Sequence, residues 1–245
     1  MQAVLLAAGV GQRLGIDRPK CLLEIGGKSL LERHLEVLAT VGIDKLFVVT
    51  GHLHEMLDKA LGQAAPDFTV EQIYNPNYRQ GSAVSLVAAL QQVDPDQPLL
   101  LMDADVLYQP TLLTDLARAK GNALLVDPDF EPGPEPVKVC IRNGRVVEFS
   151  KSVADDLQCD LIGESVGFFR IEPDSLPALA ECCRQAIEKH GVSVPHESAL
   201  REGMLTGNLP MNSLTTNARA WLEIDFPADV ERANNEVLPA IDERA

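Results

Sequence analysis

The chain has 245 residues, 46% of them hydrophobic, with 21 Lys and Arg against 36 Asp and Glu and a formal net charge of −15. That length suits one large domain or two small ones. So large an acidic excess argues against nucleic acid or an anionic membrane as a partner, since both are gripped through cationic surface. No apolar run approaches the roughly 18 residues of a spanning helix. The early run VLLAA lacks the basic segment that precedes a signal-peptide core, so the chain reads as cytoplasmic. Cys21, Cys140, Cys159, Cys182 and Cys183 are odd in number and show no CxxC or Cys/His ligand spacing. Reduced thiols, several packed as small hydrophobes, fit better than a disulfide framework or a zinc site.

Residues 1–8 form a short apolar run closed by Gly9, the pattern of a strand buried on both faces. Leu30, Leu31, His34, Leu35 and Leu38 have the spacing of one helix face, and Gly42 stops it. A second apolar strand is predicted over 45–51, a helix over 54–61, a strand over 68–74, a helix over 82–92 and a strand over 98–105. Strands and helices alternating in this way imply an open α/β sheet with crossover helices. Pro128, Pro132, Pro134 and Pro136 then break up an acidic loop, and 137–141 and 145–149 flank Asn143-Gly144 as a β-hairpin. A strand over 165–171, a helix over 174–190, a strand over 221–225 and a helix from Pro227 follow. No linker, repeat or low-complexity stretch divides the chain, which reads as a single domain over 1–245.

The first strand runs into Gly9 and Gly11, where a backbone turns tightly and consecutive N–H groups can hold phosphate oxygens. The dinucleotide fingerprint fails because Leu14 stands where its third glycine belongs, and the P-loop fails because Leu22 stands where its first glycine belongs. On the glycines alone, a tight turn and a phosphate cradle are equally good readings. Charge adds weight to the second: Arg13, Arg18, Lys20 and Lys28 face only Asp17 and Glu24 in the first 28 residues of an otherwise acidic chain. Arg18 and Lys28 read as solvated, whereas Arg13 and Lys20 bracket the loop. Lys20, stiffened by Pro19, could neutralise charge on a phosphoryl group.

AVLLAAGVGQRLG followed by RPKCLLEIGGKSLLERHLEVL resembles the opening signature of the nucleotidyltransferases that activate sugar-1-phosphates and phospho-alcohols. The resemblance implies a Rossmann-like, mostly parallel mixed sheet with a small inserted hairpin. It also implies a loop, Leu6, Ala7, Ala8, Gly9 and Gly11, whose backbone holds a nucleoside triphosphate, with Arg13 on its phosphates and Lys20 catalytic. LLLMDADVLY resembles the family's strand-end metal motif, with Asp105 as ligand and Asp103 as a further carboxylate at the nucleotide, although Asp103 reads equally as a solvated cap. WLEIDFPADVERA resembles the second metal segment, with Asp225 as ligand and Glu223, two residues away on the same face, as a third candidate. Two carboxylates from distant strand ends suit Mg²⁺, which takes one or two carboxylates together with phosphate oxygens and water.

Four stretches, NPNYRQGSAVSL, VKVCIRNGRVVEFSKS, GESVGFFRI and WLEIDFPADVERA, are most similar to the phosphocholine cytidylyltransferase-like branch, which includes enzymes of aminoalkyl phosphonates. By that resemblance Gln80, Gly81 and Ser82 lie near the base of CTP, Lys138 or Lys151 near the acceptor phosphate, and Glu164 in the acceptor pocket. Glu197 falls in PHESAL, where a Tyr-Glu-Asp run is more usual, and is the remaining acceptor candidate. An amine-bearing acceptor would want carboxylates and aromatic faces, for which Tyr108, Phe168, Phe169 and Trp221 are available, although Phe168 and Phe169 read equally as core. The implied reaction joins an acceptor phosphate or phosphonate to the α-phosphorus of the nucleotide and releases pyrophosphate. The acceptor arrives ionised, so no general base is required, and His34, His52, His54, His190 and His196, the last placed in a loop, read as structural or solvated. The alternatives are a sugar-1-phosphate nucleotidylyltransferase using UTP or dTTP, and an NTP-binding regulatory module without turnover. Homodimers are common in this fold.

Overall fold

The computed structural model describes residues 1–243. The first half alternates as the apolar spacing requires: β1 (Gln2–Leu6), β2 (Glu24–Ile25), β3 (Lys28–Ser29), α1 (Leu30–Val41), β4 (Lys45–Thr50), α2 (His54–Ala64), β5 (Thr69–Tyr74), α3 (Ser82–Leu90) and β6 (Leu99–Asp103). Short β7 (Val106–Tyr108), α4 (Pro110–Arg118) and β8 (Ala123–Asp127) lead to the hairpin β9 (Lys138–Arg142) and β10 (Arg145–Ser150), then to the long β11 (Leu161–Ile171). The chain closes with α5 (Leu176–His190), α6 (His196–Thr206), β12 (Asn212–Thr215), β13 (Trp221–Glu223), α7 (Pro227–Arg232) and α8 (Leu238–Asp242).

The main sheet runs β10-β9-β11-β6-β1-β4-β5, with β8 and β12 attached through β11. β1 pairs parallel with β4 and β6, and β4 with β5, whereas β11 runs antiparallel to β6, β8 and β9. It is therefore a mixed, mostly parallel α/β sheet in its first half. Alternate residues of β1 feed opposite cores: Val4 joins the cluster built with α3, α5 and α6, and Ala3 and Leu5 join the one built with α1, α2 and α4.

The expected helix at 30–38 forms because Ser29 and Glu32 cap it reciprocally. Ser29 Oγ accepts the Glu32 N–H at 3.2 Å, and the Glu32 carboxylate accepts the Ser29 N–H at 2.8 Å. Gly42, left-handed at φ 75°, ends it. Asn143 and Gly144 both take positive φ, 52° and 72°, which is what the tight turn of the predicted hairpin needs.

Three expectations change. The 98–105 strand stops at Asp103 and re-forms as β7, which pairs antiparallel with β13 outside the main sheet. The helix from Pro227 is interrupted by a π-turn over Ala233–Val237 before α8. His196 does not lie in a loop: it opens α6, whose buried Ala199, Leu200, Gly203 and Met204 face the core. A third, smaller cluster joins Leu14, Ile25 and Leu30 to Leu107, Ile224 and Val237. It ties the glycine loop to the β7/β13 pair and so fixes where Arg13, Lys20 and Asp225 meet.

Candidate active site

β1 leads towards β4 on one side, and β6 lies on the other, so the sheet has its switch point between β1 and β6, the usual place for a ligand crevice in an open α/β sheet. Leu6 and Asp103 are register partners at the carboxyl ends of these two strands. A cleft of about 270 Å³ opens there, lined by Leu6, Ala7, Ala8, Gly9, Gly11 and Lys20 on one wall and by Gln80, Ser82, Asp103, Asp105, His196 and Glu197 on the others. A second hollow of about 420 Å³ adjoins it, lined among others by Asp127, Lys151, Glu164, Trp221, Asp225 and Arg232. Asp103, Glu197 and Glu223 line both, so the two hollows are halves of one crevice.

The loop is shaped for close approach. A Cβ on Gly9 would meet nothing within 4 Å, so the backbone there is open to the cleft. Gly11 is left-handed at φ 65°, and a Cβ on it would lie 3.2 Å from Lys20 Cγ, so glycine lets the lysine stem pass. Lys20 Nζ donates to Asp105 Oδ2 at 2.8 Å and also to Asp225 Oδ1. Burial works against its charge, but the two carboxylates outweigh burial and hold the ammonium above its ordinary range. Arg13 Nη1 donates to Asp225 Oδ2 and to Glu135 Oε2, both at 3.0 Å.

Asp105, Glu223 and Asp225 place one oxygen each within 4.8 Å of one another. Shielding in the cleft wall, then the charges of Asp105, Asp225 and Asp103, push the Glu223 carboxyl well above its ordinary value. A hard all-oxygen donor set of this size suits a divalent cation of the Mg²⁺ class, so the residues fit the metal that the sequence implies. Asp225 is oriented from behind: the Asp229 carboxylate accepts the N–H groups of Asp225 and Phe226, at 2.9 and 2.7 Å.

At the seam, His196 is 3% exposed. Burial opposes its charge, yet Glu197 and Asp103 raise it to about 9, while Glu197, resisting its own burial, is held down to about 2 by His196. Burial, with Glu197 and Asp105 near, lifts Asp103 to about 7. Asp103 owes its place to Gly167, left-handed at φ 80°, where a Cβ would fall 2.5 Å from Asp103 Oδ2. In the larger half, burial and then Asp127 raise Glu164 to about 7. Asp127 is fixed there, accepting from Trp221 Nε1 at 2.7 Å and from Thr216 Oγ1 at 2.8 Å.

Profile comparison with known families matches the MobA-like NTP transferase domain over residues 3–165. The chain belongs to this NTP transferase family. Among curated relatives it is 26% identical over 98% of its length to the CMP-5'-(3-aminopropyl)phosphonate synthase of Streptomyces rubellomurinus, covering 39% of that protein. It is 30% identical over 96% of its length to the bifunctional IPC transferase and DIPP synthase of Rubrobacter xylanophilus, covering 52% of it. The chain thus spans between about two fifths and half of these relatives. Its fold matches the inositol-1-phosphate CTP transferase of T. maritima with a TM-score of 0.78 at 20% identity, over 99% of this chain and 95% of that one.

For an NTP transferase, most of the sequence-predicted residues converge as the motifs require, and several do not. Leu6, Ala7, Ala8, Gly9, Gly11, Lys20, Gln80, Ser82, Asp103, Asp105 and Glu197 line the smaller half, and Lys151, Glu164, Glu197 and Asp225 the larger. Gly81 is a packing position rather than a face of the cleft: a Cβ would fall 2.0 Å from the Val194 carbonyl oxygen, and its N–H donates to Val192 O. The Lys138 ammonium is committed to the carbonyls of Gly133 and Lys151, at 2.8 and 2.7 Å, which leaves Lys151 as the lysine open to the crevice. Tyr108, Phe168 and Phe169 are core residues; of the aromatic candidates only Trp221 reaches the crevice. His34 is structural as expected, fully buried beside the Tyr108 hydroxyl and the Ala104 carbonyl and held down to about 4 by burial.

Sequence reasoning missed His196 as a site residue, and with it Asp127 and Glu135. The α6 signal was present, since Ala199, Leu200 and Met204 have helical spacing with Gly207 beyond them as a stop. That would have put His196 and Glu197 on a first turn rather than in a loop. Among the described residues no helix is long and apolar enough to cross a membrane.

Proposed function

We propose that the chain is a Mg²⁺-dependent cytidylyltransferase that joins CTP to a small acceptor bearing a phosphate or phosphonate at one end and a cationic group at the other, with release of pyrophosphate. The observation that carries this reading is the junction itself: Lys20, Asp105 and Asp225 converge where a glycine-loop half meets an acid-lined half. Cytidine nucleotides appear in the names of both the phosphonate relative and the inositol-phosphate fold neighbour, which supports CTP.

In this reading the loop backbone, open at Gly9 and continued through Gly11, takes phosphate oxygens, and Arg13 takes the outer phosphates. Asp105 and Asp225, with Glu223 beside them, would hold Mg²⁺, which supplies charge neutralisation to the phosphates when bound. An oxygen of the acceptor forms the new bond to the α-phosphorus, the bond to the pyrophosphate oxygen breaks, and Lys20 neutralises negative charge on the α-phosphoryl group without giving up its proton. Lys151 receives the acceptor phosphate. Glu164, half-buried beside Trp221 and Asp127, receives the cationic end, a fit that a neutral sugar would not exploit.

The test is pyrophosphate release from CTP with Mg²⁺, using phosphocholine, 2-aminoethylphosphonate and glucose-1-phosphate in parallel. Release with an amine-bearing acceptor is the expected result. Release with glucose-1-phosphate alone would move the chain to sugar-nucleotide synthesis. Binding of CTP without release across a broad panel of acceptors would point to a nucleotide-binding module.

A further inference from the structure

His196 is the buried polar group of the crevice that the reaction outlined above leaves without a task. Its ring is pinned on one side: Ser82 Oγ lies 2.9 Å from Nδ1 and accepts the His196 backbone N–H at 2.9 Å, and a Glu197 oxygen lies 3.0 Å from Nδ1. Phe169 stands edge-on at a centroid distance of 6.4 Å. Nε2, on the other side, has no hydrogen-bond partner, although the residue is 97% buried, being 3% exposed. The nearest acceptor it faces is Asp103 Oδ1 at 3.8 Å, too far for a hydrogen bond. Asp103 cannot swing freely to close that gap, because its other oxygen is seated against Gly167.

The chemistry of the gap is specific. With Nδ1 turned to a hydroxyl and a carboxylate, Nε2 carries a proton both in the imidazolium and in the tautomer that accepts from Ser82. Nε2–H and the Asp103 carboxylate therefore present a donor and an acceptor to the same space on the nucleotide side. A phosphate oxygen there would be repelled by Asp103, and an apolar edge would leave both groups unpaired. A hydroxyl satisfies both at once, accepting from Nε2–H and donating to the carboxylate. On a nucleoside triphosphate the hydroxyls are those of the ribose.

We infer that His196 and Asp103 together read a ribose hydroxyl, which makes His196 a specificity-determining residue for ribonucleotides over deoxyribonucleotides. The inference rests on the nucleotide reading of this cleft and extends it to a residue outside the motifs that gave that reading.

The experiment measures binding, without turnover, of CTP, UTP, GTP and ATP and of their 2'-deoxy and 3'-deoxy forms to the wild-type protein, His196→Ala and His196→Gln, by calorimetry. For the ribonucleotide that binds best, loss of one of the two hydroxyls should weaken wild-type binding by about 10- to 100-fold. In His196→Ala that ratio should fall to about 3 or less, chiefly through weaker ribonucleotide binding, while affinity for the deoxy form stays near wild type. His196→Gln, which keeps a side-chain donor, should retain part of the ratio and carries the comparison if the alanine variant fails to fold. Equal wild-type affinity for ribo and deoxy forms would overturn the inference and leave the nucleotide site standing, as would a histidine variant that weakens both forms alike. Absence of binding by any triphosphate would overturn both readings together.

Discussion

Replacing Lys20 with Met separates the ammonium's pairing with Asp105 and Asp225 from the catalytic role proposed for it. The thioether side chain keeps the unbranched stem that passes Gly11 but removes the charge between Asp105 and Asp225. Three carboxylates with oxygens within 4.8 Å of one another then face each other without it. At an effective dielectric of about 20, two unit charges at that separation repel by about 3–4 kcal/mol. Water and proton uptake relieve much of this, because the Lys20 and Asp105 side chains are 19% and 20% exposed. The net cost lies between that of a surface pair and that of a fully buried one, about 2 kcal/mol, or about 4–8 °C in melting temperature for a domain of this size.

The same substitution removes the internal cation that a metal ion must displace from those carboxylates. Lys20→Met should therefore melt lower than wild type without Mg²⁺, yet gain more stability than wild type when Mg²⁺ is added, since a ligand stabilises in proportion to its affinity for the folded state. Turnover should move the other way, falling by about 10²–10³ through kcat, because charge stabilisation at the α-phosphoryl group is lost. Thermal melts across a Mg²⁺ titration, alongside steady-state pyrophosphate release, measure both. A variant whose Mg²⁺-induced shift is no larger than wild type would refute the competition between ammonium and metal. A change confined to KM would refute the catalytic role.

Asp105→Asn and Asp225→Asn should each lower turnover by orders of magnitude and abolish the Mg²⁺-induced melting shift while leaving the circular dichroism spectrum intact. Glu164→Gln should raise KM for an amine-bearing acceptor by about 10-fold or more and leave KM for CTP unchanged, as acceptor saturation curves will show. Because burial and Asp127 hold Glu164 up to about 7, acceptor KM in the wild type should fall as pH rises through 7 and the carboxylate ionises. Stability runs oppositely: between the ordinary value of 4.5 and about 7 the folded state binds the extra proton, so this group favours folding below 4.5 and loses that contribution as pH rises to 7. Melting curves of Glu164→Gln should lack that slope. Glu135→Gln, which loosens the carboxylate that bridges Arg13 and Lys151 at 3.0 and 3.1 Å, should lower KM for the phosphorylated substrates a few-fold, and the effect should shrink in high salt.

Much of the first half was legible because β1, β4 and β6 are buried along nearly their whole length and Gly42 gives α1 a clear stop. The strand β8 is as deeply buried as β1, but nothing local distinguishes Ala123–Asp127 from a buried loop until β11 and β12 pair with it. At the site, short motifs were legible where their chemistry is local, as with Gly9, Gly11, Lys20, Asp105 and Asp225. Contacts made by chain segments meeting in space were not. Gly81 carries the family's spacing, but the Val194 carbonyl lies against it, and Lys138 carries the right charge but spends it on two carbonyls. Asp103 gave no sign of needing a glycine at 167, because that requirement arises only when β11 folds antiparallel onto β6.

The distribution of charge shows how so acidic a chain would receive the anionic substrates proposed for it. Each cation facing the crevice is already paired: Lys20 with Asp105 and Asp225, Arg13 with Asp225 and Glu135, Lys151 with Glu135, and Arg232 with Glu131 at 3.6 Å. Glu131 and Glu135 belong to the proline-rich segment that lines the larger half of the crevice, so two of its acidic side chains are held by residues of the glycine loop, the 151 turn and α7. An incoming phosphate therefore exchanges for a carboxylate on the same guanidinium or ammonium rather than meeting a bare positive surface. Exchange of this kind keeps the cations oriented before substrate arrives, which reduces the ordering cost of binding, while the displaced carboxylates become available to a cationic acceptor group. A crevice that is to grip both a phosphate and an ammonium, as proposed, needs both signs of charge at short range. Pairing the cations with carboxylates in the free protein keeps each of these positive groups neutralised in a chain of net charge −15, and leaves carboxylates such as Glu164 in excess.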